Sequence, residues 1–176
     1  MEKKEKVRLH RTLRDNIKRL NFLPYDITPY FSVEEGNGLI AEKIKNAKES
    51  VRMIFGEVTS RSIIDQTTID AFNTAQESKP VKIEIIGGTI PDSENILLEN
   101  LIKKGKIQYY RLDIEPMRSF CIVDNTYIRV EHPHKSFSDE RDGYVLESSA
   151  LASNLNIIFD RVKKKAKISK HLKKKK

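Results

Sequence analysis

The sequence predicts a three-layer α/β domain on a mostly parallel sheet, with a β-hairpin placed late in the chain. Three observations carry that reading. Segments of helical apolar spacing alternate with β-branched runs between Gly38 and Ile114, the rhythm of strands joined by helices that cover both faces of a sheet. Residues 118–134, RSFCIVDNTYIRVEHPH, hold two runs rich in β-branched and aromatic side chains around Asp124-Asn125-Thr126, which is turn chemistry. Beyond Ala150, the residues Leu151, Leu155, Ile158, Phe159 and Val162 recur at helical steps and close the domain with a last helix.

Taken in order, residues 2–20 are charged, with Val7, Leu9, Leu13, Ile17 and Leu20 at mostly three- and four-residue steps, and predict a short amphipathic helix. Residues 21–37 contain Pro24, Pro29, Gly36 and the aromatics Phe22, Tyr25 and Phe31, which predicts an extended connector strapped to the surface. From Gly38, the residues Leu39, Ile40, Ile44 and Ala47 mark a helix, and 51–59 a strand with Val51, Met53 and Phe55 on one side. A second helix spans 62–77, with Ile63, Ile64, Ile69, Phe72 and Ala75 as its apolar positions and Pro80 just beyond. The strand at 81–86 is closed by Gly87-Gly88. A third helix starts near Asp92, a cap with Asn95 three residues on, buries Ile96, Leu97, Leu101 and Ile102, and stops at Gly105. A strand at 107–114 follows, then the hairpin strands at 119–123 and 127–130, a polar loop at 133–142, a strand at 144–147 and the last helix. The organisation is therefore 1–37 helix and connector, 38–164 the α/β domain, and 165–176 a lysine-rich tail with no apolar spacing, expected to be disordered.

At 176 residues the chain suits one domain with extended ends. Its 38% apolar and 33% charged residues, against roughly 45–50% and 25% on average, indicate that part of it is unpacked. Cys121 is the sole cysteine; it excludes an internal disulfide and reads as a small buried hydrophobe in a reducing compartment. No secretory segment and no run of about 18 apolar residues is present, so a cytoplasmic protein with no membrane partner is expected. The net charge of +8 is unevenly divided. Residues 1–19 carry +5 and residues 161–176 carry +10, which leaves −7 on residues 20–160. Basic ends on an acidic body predict an electrostatic role for the ends.

A helix leading into VRMIFGEVT, VKIEIIGG, IQYYRLDI and then FCIVDNTYIRVEHPH resembles one half-unit of the phospholipase D superfamily, over about 39–164. The resemblance implies an H-x-K-x4-D motif on the hairpin, followed by G-S-x-N, with two half-units sharing one phosphodiester-cleaving site. With the family's Asp placed on Asp124, Met117 stands where the histidine nucleophile belongs and Ser119 where the lysine belongs, and Glu131-His132-Pro133-His134 replaces the G-S-x-N turn. A thioether forms no phosphohistidine, and a hydroxyl supplies no cation to balance charge on phosphate, so no catalytic residue is assigned. The resemblance also implies a two-fold homodimer through the edge bearing the hairpin, with a fold-back of the chain's own residues Leu9 to Phe31 as the competing cover.

The remaining candidates are Arg118, Arg129, His132 and His134 as an anion site, with Asp124 and Glu131 in support. Arg129 has a second reading, a self-satisfying pair with Glu131 two residues on along the same strand face. His132 and His134 with Glu131, Asp139 and Glu140 lack the closed spacing of a metal site, and no metal or cofactor is expected. The tail, Arg161, Lys163, Lys164, Lys165, Lys167, Lys170, Lys173, Lys174, Lys175 and Lys176, predicts sequence-independent binding of DNA or RNA through backbone phosphates. The leading expectation is a non-catalytic nucleic-acid-associated or regulatory module. Its rivals are a divergent phosphodiesterase using His132 or His134, and an anion-ligand or protein-interaction domain.

Overall fold

The computed structural model describes residues 27–55, 65–78, 80–88, 96–112, 119–131 and 143–168. The elements are β1 Ile27–Tyr30, α1 Val33–Lys45, β2 Ser50–Ile54, α2 Gln66–Ser78, β3 Lys82–Gly87, α3 Ile96–Lys103, β4 Gln108–Arg111, β5 Phe120–Val123, β6 Tyr127–Glu131, β7 Gly143–Glu147, α4 Ser149–Lys165 and β8 Lys167–Ile168. The strands form one sheet in the order β1-β7-β6-β5-β2-β3-β4-β8. Pairing is parallel at β2–β3 and β3–β4, where helices make the crossovers, and antiparallel at the other junctions. The parallel core is thus the βαβαβ unit expected from the alternation, flanked by antiparallel strands on both sides.

Alternation along the strands sorts the core into two layers. Val51 and Met53 of β2, Ile83 and Ile85 of β3, Tyr109 of β4 and Cys121 and Val123 of β5 pack with apolar residues of α1, α2 and α3. The opposite face, with Ile54, Ile86, Tyr110, Phe120, Ile122, Ile128 and Leu146, packs on Ala152 and Phe159 of α4. The hairpin closes through two residues with positive φ, Asp124 (51°) and Asn125 (54°), a two-residue turn of the kind that Asp and Asn tolerate.

Several boundaries differ from the sequence reading. Ile27–Tyr30 is not surface strapping but the edge strand β1, paired to β7. The helix expected from Gly38 begins at Val33, and Asn37 lies inside it. The reason is a cap hidden among the glycines: Ser32 Oγ accepts from the Glu35 amide at 3.1 Å, while Glu35 Oε2 accepts from the Phe31 amide at 3.1 Å. Gly36 is required there because a Cβ would lie 2.7 Å from the Tyr30 ring. The second helix begins at Gln66, where Asp65 Oδ1 accepts from the Thr68 amide at 2.9 Å. At the far end, the tail expected to be disordered instead starts with ordered backbone, since Lys167 and Ile168 pair with Arg111 and Tyr110. The expected 2–20 helix, the Asp92 cap and residues 169–176 lie outside the described residues. No helix among the described residues is long and apolar enough to cross a membrane.

Candidate functional site

β2, β3 and β4 end at one rim of the sheet, at Ile54, Gly87 and Arg111. The antiparallel register brings the start of β5 (Phe120), the end of β6 (Glu131), the start of β7 (Gly143) and the end of β1 (Tyr30) to the same rim. The carboxyl ends of parallel strands are where open α/β sheets place ligand crevices.

Arg129 is central to this rim, and it is buried. Its Nε donates to Tyr30 Oη at 3.0 Å, Nη1 to Asn37 Oδ1 at 2.5 Å and Nη2 to Glu131 Oε1 at 2.5 Å. The guanidinium also lies 4.9 Å from the Tyr30 ring centroid. Of the two readings of Arg129, the pair with Glu131 describes this geometry, extended by β1 and α1. A buried ion pair is stable only where further hydrogen bonds complete it, and Tyr30 and Asn37 supply them. Gly143 lets the strands close around Tyr30: a Cβ there would lie 2.2 Å from the Val130 carbonyl and 2.4 Å from Tyr30 Oη.

Asp124, the one residue matching the H-x-K-x4-D pattern, sits at the other end of the hairpin. Its carboxylate accepts from three consecutive amides, Lys48 at 2.7 Å, Glu49 at 2.9 Å and Ser50 at 3.0 Å. It therefore holds the α1–β2 connection against the hairpin turn. Arg118, His132 and His134 lie outside the described residues, so of the candidate anion-site residues at this rim only Arg129 and Glu131 are described. Cys121, on the same face as Arg129, is buried; burial pushes its thiol up to about 12 against the opposing effect of Arg129.

A second charged cluster, which sequence spacing did not reveal, lies on the α4 face. Glu84 of β3 is fully buried and meets three cations: Arg52 Nε at 3.2 Å, Lys82 Nζ at 3.2 Å, and Lys163 Nζ of α4. Tyr110 Oη donates to the same carboxylate at 3.2 Å. Burial works to raise the Glu84 pKa, but the hydrogen bonds and charges of Lys163 and Lys82 together outweigh it, and the carboxyl is held below its ordinary value. Lys163, expected from the sequence to serve nucleic acid with the rest of the tail, is instead committed to Glu84 and lies 4.7 Å from the Tyr110 ring centroid. The physical reason is helical phase, which turns Lys163 towards the sheet and leaves Arg161, Lys164 and Lys165 exposed.

An open mixed sheet between helix layers, with a hairpin after the third parallel-unit strand, is a phospholipase D-like architecture. No family model matches the sequence, and no curated protein matches it. Solved structures do match. Nuc from Salmonella typhimurium, a phospholipase D family member, aligns with a TM-score of 0.63 at 16% identity, covering 84% of this chain and 99% of that one. NucT from Helicobacter pylori aligns at 0.61 and 12% identity, covering 82% and 99%. TrmBL2, an archaeal chromatin protein with a novel mode of DNA binding, aligns at 0.62 and 12% identity, covering 94% of this chain but only 64% of that one. The chain has the phospholipase D-like fold.

Proposed function

We propose that this protein is a non-catalytic phospholipase D-like module that binds nucleic acid through backbone phosphates. The carrying observation is the division of charge, +10 on residues 161–176 and −7 on residues 20–160. An acidic body repels a polyanion while the basic end attracts it, which concentrates contact at one end of the molecule. The DNA binding of the structurally similar archaeal chromatin protein supports the reading. The absence of catalysis rests on Met117 and Ser119 at the positions of the family's His and Lys.

The module also acts as a homodimer in this proposal. β5 and β6 are interior strands between β2 and β7, so a dimer through the hairpin side uses strand ends rather than edge pairing. A single species near 20 kDa in light scattering rejects the dimer. The function is tested by titrating labelled DNA and RNA at several salt concentrations. A linear fall of log affinity with log salt, together with no phosphodiester hydrolysis, is the expected result. Turnover that disappears in His132→Ala or His134→Ala overturns the non-catalytic reading and favours a divergent phosphodiesterase.

A further inference from the structure

We infer that the outward face of α4 is itself a docking surface for the phosphate backbone of double-stranded nucleic acid; this rests on the nucleic-acid reading above and assigns it a structured site. Asn154, Ile157, Arg161 and Lys164 are exposed at successive steps of three, four and three, so they form one row along the helix, with Lys165 beside its end. The cations of that row occupy its last turn, Arg161 to Lys165, about 6 Å along the axis at 1.5 Å per residue, so they present one compact positive patch to the phosphates.

The charges on the row are available. Arg161, Lys164 and Lys165 make no ion pair among the described residues, whereas Lys163 is held by Glu84 and Asp160, the acid nearest this turn, lies 3.6 Å from Arg52. The carbonyl end of a helix carries about half a negative charge, which three cations outweigh. The aromatic residue of α4, Phe159, is fully buried, so the row offers no ring for base stacking. That chemistry fits the regular phosphates of a duplex on a rigid helix rather than the splayed bases of a single strand.

The test compares the full chain with two full-chain variants: Arg161→Gln/Lys164→Gln/Lys165→Gln, and Lys173→Gln/Lys174→Gln/Lys175→Gln/Lys176→Gln. Each is titrated with a short DNA duplex, with the same length of single strand, and with anionic phospholipid vesicles, after far-UV circular dichroism has shown the native helix content. The proposal expects the α4 variant to lose duplex affinity and the salt slope to fall by about 0.9 for each phosphate contact removed. If only the tail variant loses affinity, the α4 surface is rejected and the nucleic-acid reading survives. If the unaltered protein binds neither nucleic acid, both are rejected. Equal loss on single strand and duplex, or tighter binding to the vesicles, also overturns the assignment. Loss of native helix content in the α4 variant contradicts the outward placement of its three cations and overturns it too.

Discussion

Glu84 of β3 and Lys163 of α4 form an ion pair between the sheet and the helix that covers it, and the Glu84 side chain is wholly shielded while the Lys163 side chain is 27% exposed. The asymmetry decides how the pair responds to substitution. Loss of Lys163 leaves Glu84 with two of its three cations, whereas loss of Glu84 takes the shared carboxylate from Arg52, Lys82 and Lys163 together.

Replacing Glu84 with Gln should therefore cost about 2–3 kcal/mol, at or below the lower end for breaking a buried pair, because the three cations around it are partly hydrated. Lys163→Met should cost about 1 kcal/mol, since Arg52 and Lys82 still hold the carboxylate. Urea unfolding midpoints at constant slope measure both. A larger loss for Lys163→Met than for Glu84→Gln contradicts this account.

The same network sets an acid limit. The folded-state pKa of Glu84 is depressed below its ordinary value of 4.5, so its contribution is complete above about pH 4.5 and is lost as pH falls through the depressed value. The stability difference between the natural protein and Glu84→Gln should be flat in the neutral range and shrink in acid. Thermal melts of the two proteins from pH 7 to pH 3 show whether it does.

Truncation should separate the anchor from the charge. Ending the chain after Ile168 keeps both Lys163 and the β4–β8 pairing, whereas ending it after Val162 removes them. The shorter chain should melt several degrees lower than the longer one, by about 4 °C per kcal/mol for a domain of this size. Equal melting temperatures would sink the structural role of Lys163.

Gly143→Ala should cost about 1–3 kcal/mol by overpacking, and Tyr30→Phe should not rescue it, because the nearest obstruction is the Val130 carbonyl at 2.2 Å. A double-mutant cycle gives the answer. Restoration by Tyr30→Phe would mean that the phenol, not the main chain, sets the limit.

Asp124→Ala should destabilise by about 1–3 kcal/mol, through three main-chain amides left without their acceptor and a left-handed φ of 51° that Ala resists. Asp124→Asn should cost less, since its amide oxygen still accepts and Asn tolerates that φ. Hydrogen exchange at Lys48, Glu49 and Ser50 should rise in the Ala variant before exchange in the sheet does.

Much of the fold is legible in the residues because apolar period reports the face on which each side chain sits. The hairpin around Asp124-Asn125, the βαβαβ alternation and the closing helix follow from that local code, and so does the pairing of Arg129 with Glu131, two positions apart on one strand. What period cannot report is which distant element covers a face. Tyr30 and Asn37 reach Arg129 across 99 and 92 residues, through the addition of β1 beside β7 and the early start of α1 under Ser32. In composition Lys163 is one lysine of three in a row; only the rotational phase at which α4 packs on the sheet sets it against Glu84 and leaves Lys164 and Lys165 facing outward. Charge along the chain was determined by the sequence, but its direction in space was decided by packing, because a helix distributes adjacent residues about 100° apart and the core selects which of them it will bury.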